Sequence, residues 1–353
     1  MIKDTSDKGS KKKKASLKDV AQAAGVSISA VSFVMNGKQK QYRVSDELAA
    51  RIKEIAKAMD YTPNGFARSL RKGTNYTIGV IVSDISNQFF ADLVRSIEAS
   101  AEEFGYMALF ASSDEDHERM AELVERMLVK GVDGFILVPC TGSLPIIESL
   151  AVKEIPFVLL DRYFPELKTN YVALNNVKAA YDTTMHMLRS GFSRIAMVSY
   201  DTDLVNIAGR EEGYRRAMKD AGLEDNIILR KVSMSALERG CDKVMKEIAE
   251  EHADAILFAT NSITIQCLNY IRDNNIRVPE DLGLAGFDGG NVFDFFYAPL
   301  TYIDQPLEKM AHKSVEVLIE VMESNSSIIQ NIEMDGSIVV RTSSVKPGYA
   351  TDR

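Results

Sequence analysis

The stretch Leu17 to Asn36, LKDVAQAAGVSISAVSFVMN, reads as two short helices bent about Gly25, and that bend limits the first part of this chain to a few small helical folds. Val20, Ala21 and Ala24 form an apolar edge on the first segment, and Val26, Val31 and Val34 supply the facing edge on the second. Closing those edges makes a small core and leaves the second segment a free outer side. Glycine reaches the left-handed conformation that ends a helix sharply, and Ser27 can cap the next helix with its hydroxyl. This is the pattern of a helix-turn-helix, whose second helix would lie in the major groove of duplex DNA.

Charge supports that reading. Lys11 to Lys14 run straight into the motif, and residues 1–76 carry sixteen Lys and Arg against seven Asp and Glu, a net +9. The whole chain is at −8, which leaves −17 on residues 77–353. A basic head on an acidic body fits a DNA-binding module joined to a domain of another purpose, because phosphate neutralisation supplies non-specific affinity. Met1 to Lys8 alone reads as a solvated tail, and residues 1–14 are expected to be disordered.

At 353 residues the chain suggests two or three domains of ordinary size. Cys140, Cys241 and Cys267 are odd in number, widely spaced and set in apolar runs, so they read as reduced core residues. No apolar signal core follows the basic N-terminus and no stretch approaches a membrane span, so a cytoplasmic protein is expected.

Asn36-Gly37-Lys38 reads as a turn, and Gln39 to Val44 as a polar loop able to cross the phosphate backbone. Ser45-Asp46-Glu47 opens a third helix with Leu48, Ile52, Ile55 and Met59 at helical spacing. The head is expected to end at residue 63. Residues 64–73 then form a hinge with one short helix, too short to persist alone. Arg68 and Arg71 offer phosphate contacts, and Leu70 is either a minor-groove wedge or a residue packed on the next domain.

From Thr77 short apolar β runs alternate with helical stretches. Strands are expected at Thr77–Val82, Tyr106–Ala111, Gly134–Pro139, Phe157–Asp161 and Tyr171–Leu174, with helices at Phe89–Phe104 and Glu118–Lys130. A second series places strands at Arg194–Ser199, Ile228–Val232, Ala255–Ala259 and Gly283–Phe287. Its helices fall near Asn176–Ser190, Arg210–Ala221, Leu237–Glu250 and Ile263–Asn274. The fold class expected is α/β, with an all-α helix-turn-helix head and a two-lobed body of parallel sheets whose ligand pocket lies between the lobes. A late helix, Leu307–Met322, and strand, Ile338–Arg341, imply several chain crossings between lobes. The body is expected to span residues 74–342. One lobe takes about 74–174 and 306–336, the other about 175–305 and 337–342, and 343–353 form a tail.

Together these motifs resemble the lactose/galactose repressor (LacI/GalR) family of bacterial transcription factors, from about Ala15 to Arg341. The resemblance rests on Lys18-Asp19-Val20-Ala21 with Ala24-Gly25-Val26-Ser27, on Tyr61-Thr62-Pro63-Asn64 with Ala67-Arg68-Ser69-Leu70, and on Ile78-Gly79-Val80-Ile81-Val82 with Asp84-Ile85-Ser86-Asn87. It continues through Lys130-Gly131-Val132-Asp133-Gly134, Leu159-Leu160-Asp161-Arg162, Arg210-Glu211-Glu212-Gly213-Tyr214, Val278-Pro279-Glu280-Asp281, Gly286-Phe287-Asp288 and Pro299-Leu300-Thr301 with Gln305-Pro306. It implies a homodimer reading a palindromic operator in double-stranded DNA, with a body like a type I periplasmic binding protein. A small-molecule effector, a sugar or sugar phosphate, would close the lobes and change the grip on DNA. Residues 343–353 carry no leucine heptads, so a dimer rather than a tetramer is expected.

By position, the resemblance assigns base reading to Ile28, Ser29 and Phe33, with Lys18, Ser27, Ser32, Asn36, Arg68 and Leu70 completing the DNA-facing set. Phe33 departs from the family, which commonly has arginine or histidine there. A phenylalanine offers only apolar contact, for instance to a thymine methyl, or turns into the module's own core. The implied effector contacts are Asp84, Phe89, Asp161, Arg162, Asn206, Arg210, Asn261 and Asp288. Asn175 and Ser262 stand where the family commonly has aspartate, which weakens a plain sugar-hydroxyl reading. Phe293, Phe295, Phe296 and Tyr297 could stack on a sugar face or a base.

Two other classes compete. An enzyme lacks support, since there is no GxGxxG after the first strand, no phosphate loop and no GxSxG elbow, and no metal or cofactor is expected. His117, His186, His252 and His312 are scattered, and Asp114-Glu115-Asp116 reads as a solvated helix cap. A transport solute-binding protein shares the two-lobed body but not the basic head. A nucleoside- or purine-responsive regulator is the alternative within the regulator class.

Overall fold

The computed structural model describes residues 15–61, 74–323 and 328–349. The chain divides into two compact units, one reaching Asn75 and the other starting at Tyr76.

In the first unit, α1 (Leu17–Ala24), α2 (Ile28–Met35) and α3 (Asp46–Ala58) surround one small core. A capping box starts α1: the Ser16 hydroxyl accepts from the Asp19 N–H, and the Asp19 carboxylate accepts from the Ser16 N–H at 2.8 Å. Gly25 ends it at φ 68°, a conformation a side chain would strain. The hydroxyls of Ser27 and Ser45 cap α2 and α3, accepting from Ala30 and Leu48 N–H at 3.2 and 3.3 Å. Val20, Ala21, Ala24, Val31 and Val34 meet Ala49, Ile52 and Ala56 of α3, while Val26 stays half-buried at the rim. Eight-residue helices do not persist alone, so this shared core is what holds them.

The second unit holds two six-stranded sheets. In chain order the first lobe contains β1 (Thr77–Val82), α4 (Gln88–Glu103), β2 (Met107–Ser112), α5 (His117–Val129), β3 (Gly134–Leu137), α6 (Leu144–Val152), β4 (Phe157–Leu160) and β5 (Tyr171–Leu174). The second follows with α7 (Asn176–Arg189), β6 (Ile195–Tyr200), α8 (Val205–Asp220), β7 (Ile228–Val232), α9 (Leu237–Glu250), β8 (Ala255–Phe258), α10 (Asn261–Asp273), β9 (Gly283–Phe287), α11 (Asn291–Phe295) and β10 (Thr301–Asp304). The chain then returns as α12 (Leu307–Glu323) and β11 (Asn331–Met334) to the first lobe, and as β12 (Ser337–Val339) to the second.

The sheet orders are β11-β5-β4-β3-β1-β2 and β12-β10-β9-β8-β6-β7. Every pairing is parallel except β12 on β10. Helix α12 buries Met310, Ala311, Val315 and Leu318 in the core shared by α4 and β4, which ties the late segment to the first lobe. Helices α7 and α8 cross closely: a Cβ on Gly213 would sit 2.1 Å from the Val177 carbonyl oxygen, so only glycine permits the contact.

The α/β architecture expected from the alternating pattern is the one observed. Four elements were not anticipated, one of them the five-residue helix α11. Helix α6 is a mostly apolar run with a proline in its first turn, and β10 and β11 are four-residue strands too short to show a period. Helix α8 starts at Val205, ahead of the expected Arg210, across the helix-unfriendly Gly209 and without a side-chain cap. The three cysteines are free and buried. Among the described residues no helix is long and apolar enough to cross a membrane, and no His, Cys, Asp or Glu cluster could hold a metal ion.

Candidate functional site

Two surfaces carry the candidate chemistry. On the first unit, α2 buries only Val31 and Val34, so its outer side is free. Ile28 is 48% exposed, and Lys18, Ser27, Ser29 and Asn36 are exposed beside it. The Asn36 amide donates to the Ser32 carbonyl at 2.6 Å and to the half-buried Ser32 hydroxyl at 3.3 Å, which closes the end of α2. Phe33 neither enters the core nor stands free. Its half-buried ring stacks on Tyr42, centroids 3.7 Å apart and planes 2° from parallel. Arg68, Arg71 and Leu70 lie outside the described residues.

In the second unit, Asp161 and Arg162 follow β4, Asp288 follows β9, Asn206 and Arg210 share one face of α8, and Asn261 opens α10. The early start of α8 matters here, because it places Asn206 four residues from Arg210 on a single helix, one turn apart. Arg162 is 8% exposed and forks onto Glu115, both nitrogen-to-oxygen distances being 2.8 Å, with a further bond to the Pro139 carbonyl. Asp161 is 2% exposed, accepts from the Asn206 amide at 3.3 Å and lies 3.6 Å from the Arg162 Nε. Arg210 is 2% exposed. It donates to Asn176 Oδ1 at 2.8 Å and to the Ala259 carbonyl at 2.6 Å, with its guanidinium 3.9 Å above the Phe287 ring. Asp288, partly open to solvent, accepts from the Gln305 amide at 2.6 Å.

Burial and charge pull against each other in this cluster. Removal from water raises the Asp161 carboxyl above its ordinary range despite Arg162 and Arg210. The same cause pushes Asp288 up to about 6, again against Arg210 and the Gln305 bond. Burial lowers the Arg210 pKa although Asp288 and Asp161 oppose it. For Arg162 burial works the same way, but Glu115 and Asp161 outweigh it and hold the guanidinium more firmly protonated. Four buried atoms at the strand ends make no hydrogen bond among the described residues: Ser83 Oγ, Asp161 Oδ1, Arg162 Nε and Gln305 Oε1. Orphaned polar atoms in such a place are expensive, and a polar ligand would satisfy them.

Polar contacts also join the lobes. Asn87, which caps α4, exchanges amide hydrogen bonds with Asn261 at 3.0 and 3.3 Å and donates to the Ser262 hydroxyl at 3.0 Å. Thr141 meets Thr202 at 3.2 Å. With the Asn206 to Asp161 bond, these hold the strand ends of the two lobes against each other. A separate open groove of about 1020 Å³ runs along α4 and α12 and shares only Gln305 with the cluster.

Asp161, Arg162, Asn206, Arg210 and Asp288 are therefore brought together, and Asn261 lies at the lobe junction. Asp84 is not tied to them, since its carboxylate closes its own turn onto Ser86. Phe89 falls in the apolar core edge-on to Phe90, so its ring serves packing there. Nor do the late aromatics join the cluster. Phe293 is core, Phe295 is 85% exposed, and the Tyr297 hydroxyl bonds the backbone of Ile276 and Val278. Asn175 caps α7 rather than facing a ligand. The acidic run needs one correction: Asp116 does cap α5, but Glu115 turns inward onto Arg162. Glu115, Asn87 and Asn176 are site residues that sequence reasoning passed over, because nothing local marks a cap-like acid or amide as a long-range partner.

Comparison with known proteins accords with this geometry. Residues 16–64 match bacterial regulatory proteins of the lacI family, and residues 184–344 match the periplasmic binding protein-like domain. The HTH-type transcriptional regulator DegA of Bacillus subtilis is 30% identical over 336 residues, 94% of this chain and 98% of that protein. A LacI family regulator from Enterococcus faecium, solved with bound ribose, shares 25% identity with a TM-score of 0.67 over 76% of this chain and 98% of its own. The lac repressor dimer on its operator, at 20% identity, has the same fold with a TM-score of 0.82 over 94% of this chain and all of that one. The chain therefore belongs to the lacI family of bacterial regulatory proteins, a DNA-binding transcriptional regulator rather than an enzyme, with a periplasmic-binding-protein-like body.

Proposed function

We propose that the protein is a cytoplasmic repressor that binds a palindromic operator as a homodimer and is controlled by a neutral, hydroxyl-rich small molecule, a saccharide, between the lobes of its body. One eight-residue helix reads few base pairs, and a two-fold pair of them reads two half-sites. Lys18, Ser27, Ile28, Ser29, Ser32, Phe33 and Asn36 would face the duplex, with Arg68 and Leu70 in the hinge.

The observation that carries the effector reading is the charge balance of the buried cluster. Arg162 is already matched by Glu115, and the charges that act on Arg210 are the carboxylates of Asp161 and Asp288, which favours a neutral ligand over a phosphate. A second anion would face two carboxylates whose ionised forms burial already disfavours. Sugar hydroxyls instead would donate to Asp161 Oδ1 and Gln305 Oε1 and accept from Arg162 Nε, atoms that make no hydrogen bond among the described residues. The ribose-bound E. faecium regulator agrees with that chemistry. Effector binding would change operator affinity through a coupling of about 1–3 kcal/mol.

A thermal-shift screen of monosaccharides, oligosaccharides, sugar phosphates and purines tests this, followed by DNA-shift titration with and without the hit. A neutral saccharide that raises the melting temperature and alters operator affinity is expected. Stabilisation by phosphorylated sugars or purines alone would defeat the saccharide assignment. No sequence-selective binding to any duplex would defeat the operator reading.

A further inference from the structure

The head carries an aromatic pair that its core does not use. Phe33 and Tyr42 lie outside the cluster formed by Val20, Val31, Ile52 and their neighbours, and Tyr42 is 47% exposed. Two rings stacked face to face outside the core add to the exposed Ile28 an apolar area that the fold of the head does not use. The segment that delivers Tyr42 is a folded turn rather than a loose connection. Lys38 N–H donates to the Phe33 carbonyl at 2.8 Å, Tyr42 N–H to Lys38 at 3.2 Å and Val44 N–H to Gln39 at 2.9 Å. Gly37 at φ 68° and Arg43 at φ 54° make the two sharp bends this requires. The turn is thus anchored on the backbone of the residue whose ring it covers.

Charge identifies what this surface meets. Between Val20 and Ser45 the sequence has no Asp or Glu, and the turn carries Lys38, Lys40 and Arg43, all exposed. An apolar shelf flanked by three cations and continuous with the free side of α2 matches a duplex, with phosphates on the rim and base edges in the groove. Alone, a phenylalanine on the flank of a short helix could rotate away from a base. Covered by Tyr42, its plane is set.

Resting on the operator reading above, we propose that Tyr42 is a specificity-determining positioning residue: stacked on Phe33, it makes a composite apolar slot that reads a thymine methyl in each operator half-site. The turn Gly37–Val44 is then a second reading element beside the recognition helix, with its cations on the neighbouring phosphates.

The test uses the full chain and a duplex library with a randomised centre. Wild type should enrich a two-fold motif containing one A·T pair per half-site at which thymine to deoxyuridine replacement weakens binding at least fivefold. Tyr42→Ala and Phe33→Leu should both lose preference at that same pair and become indifferent to the replacement, with affinity for random duplex kept within threefold. Tyr42→Phe, which retains the stack, should behave as wild type. Melting curves of the variants verify that the head stays folded; if Tyr42→Ala melts early, the Phe33→Leu and Tyr42→Phe pair decides. An enriched wild-type motif that Tyr42→Ala reproduces unchanged overturns this proposal alone, as does a Tyr42→Phe variant as indifferent as Tyr42→Ala. A wild-type chain that enriches nothing overturns the operator reading and this one with it.

Discussion

The two lobes of the body repeat one strand order, and each follows its fourth strand with an aspartate in left-handed backbone: Asp161 at φ 66° after β4 and Asp288 at φ 60° after β9. In each the aspartate N–H donates to the next strand of its own sheet, to Val172 and to Ile303, at 2.9 and 3.0 Å. Their surroundings then diverge. Asp161 is followed by Arg162, whose guanidinium is locked on Glu115, so its lobe answers the buried acid with a fixed ion pair. Asp288 is followed by Gly289, where a Cβ would come 2.3 Å from the Tyr302 ring, and its direct partner is the neutral Gln305 amide. Arg210, whose charge opposes the upward shift at Asp288, donates to the neutral oxygens of Asn176 and Ala259. Topology duplicated a position; the side chains answered one copy with a fixed ion pair beside it and the other with a neutral amide.

That contrast can be broken most directly at Arg162. Replacing it with alanine removes one partner of a buried ion pair and is expected to destabilise the body by about 3 kcal/mol, read by urea denaturation. Asp288→Asn, by contrast, removes a charge whose burial is costly and should leave the midpoint at pH 7.5 unchanged or higher. A reversed order would show that the second lobe, not the first, holds the structural acid.

Next in size is Arg210→Lys, which keeps the charge but loses the fork held by Asn176. Effector affinity measured by calorimetry should fall at least tenfold, about 1.4 kcal/mol, while the melting temperature changes less than for Arg162→Ala. Full affinity in this variant would move the ligand away from Arg210.

The third test is pH. Because burial raises Asp288 to about 6 from 3.8, its contribution favours the folded state fully below about pH 4 and is lost as pH rises through about 6. The stability difference between wild type and Asp288→Asn should therefore shift in favour of wild type on going from pH 7 to 5. Effector binding that uses the carboxylate as acceptor should weaken over the same interval and release a proton near pH 6. A flat profile would place the titration elsewhere. The smallest effect is expected at the lobe junction. Asn87→Ser keeps a cap for α4 but deletes the amide exchange with Asn261, and should cost about 1 kcal/mol in effector affinity or body stability.

Much of the fold could be read along the chain. Gly25, Ser27 and Ser45 mark their turn and caps within three or four residues, and the β-runs Thr77–Val82, Tyr171–Leu174 and Gly283–Phe287 are apolar because parallel strands are covered on both faces. The edge strand β11 escaped, since it alternates over only four half-exposed residues. Of the site, the residues at strand ends and on α8 could be located by motif, but Phe89 shows that a strand-end aromatic and a core aromatic look alike in sequence.

What the chain alone determined, then, is the local part: where helices start, which faces are apolar, and that a basic head precedes an acidic body, because caps, periodicity and charge act between residues a few positions apart. The tertiary structure decided which charges meet. Glu115 reaches Arg162 across 47 residues, Asn87 reaches Asn261 across 174, and Tyr42 covers Phe33 only once a turn has folded back. Such pairs depend on strand order and loop closure in three dimensions, and no periodicity along the sequence encodes them.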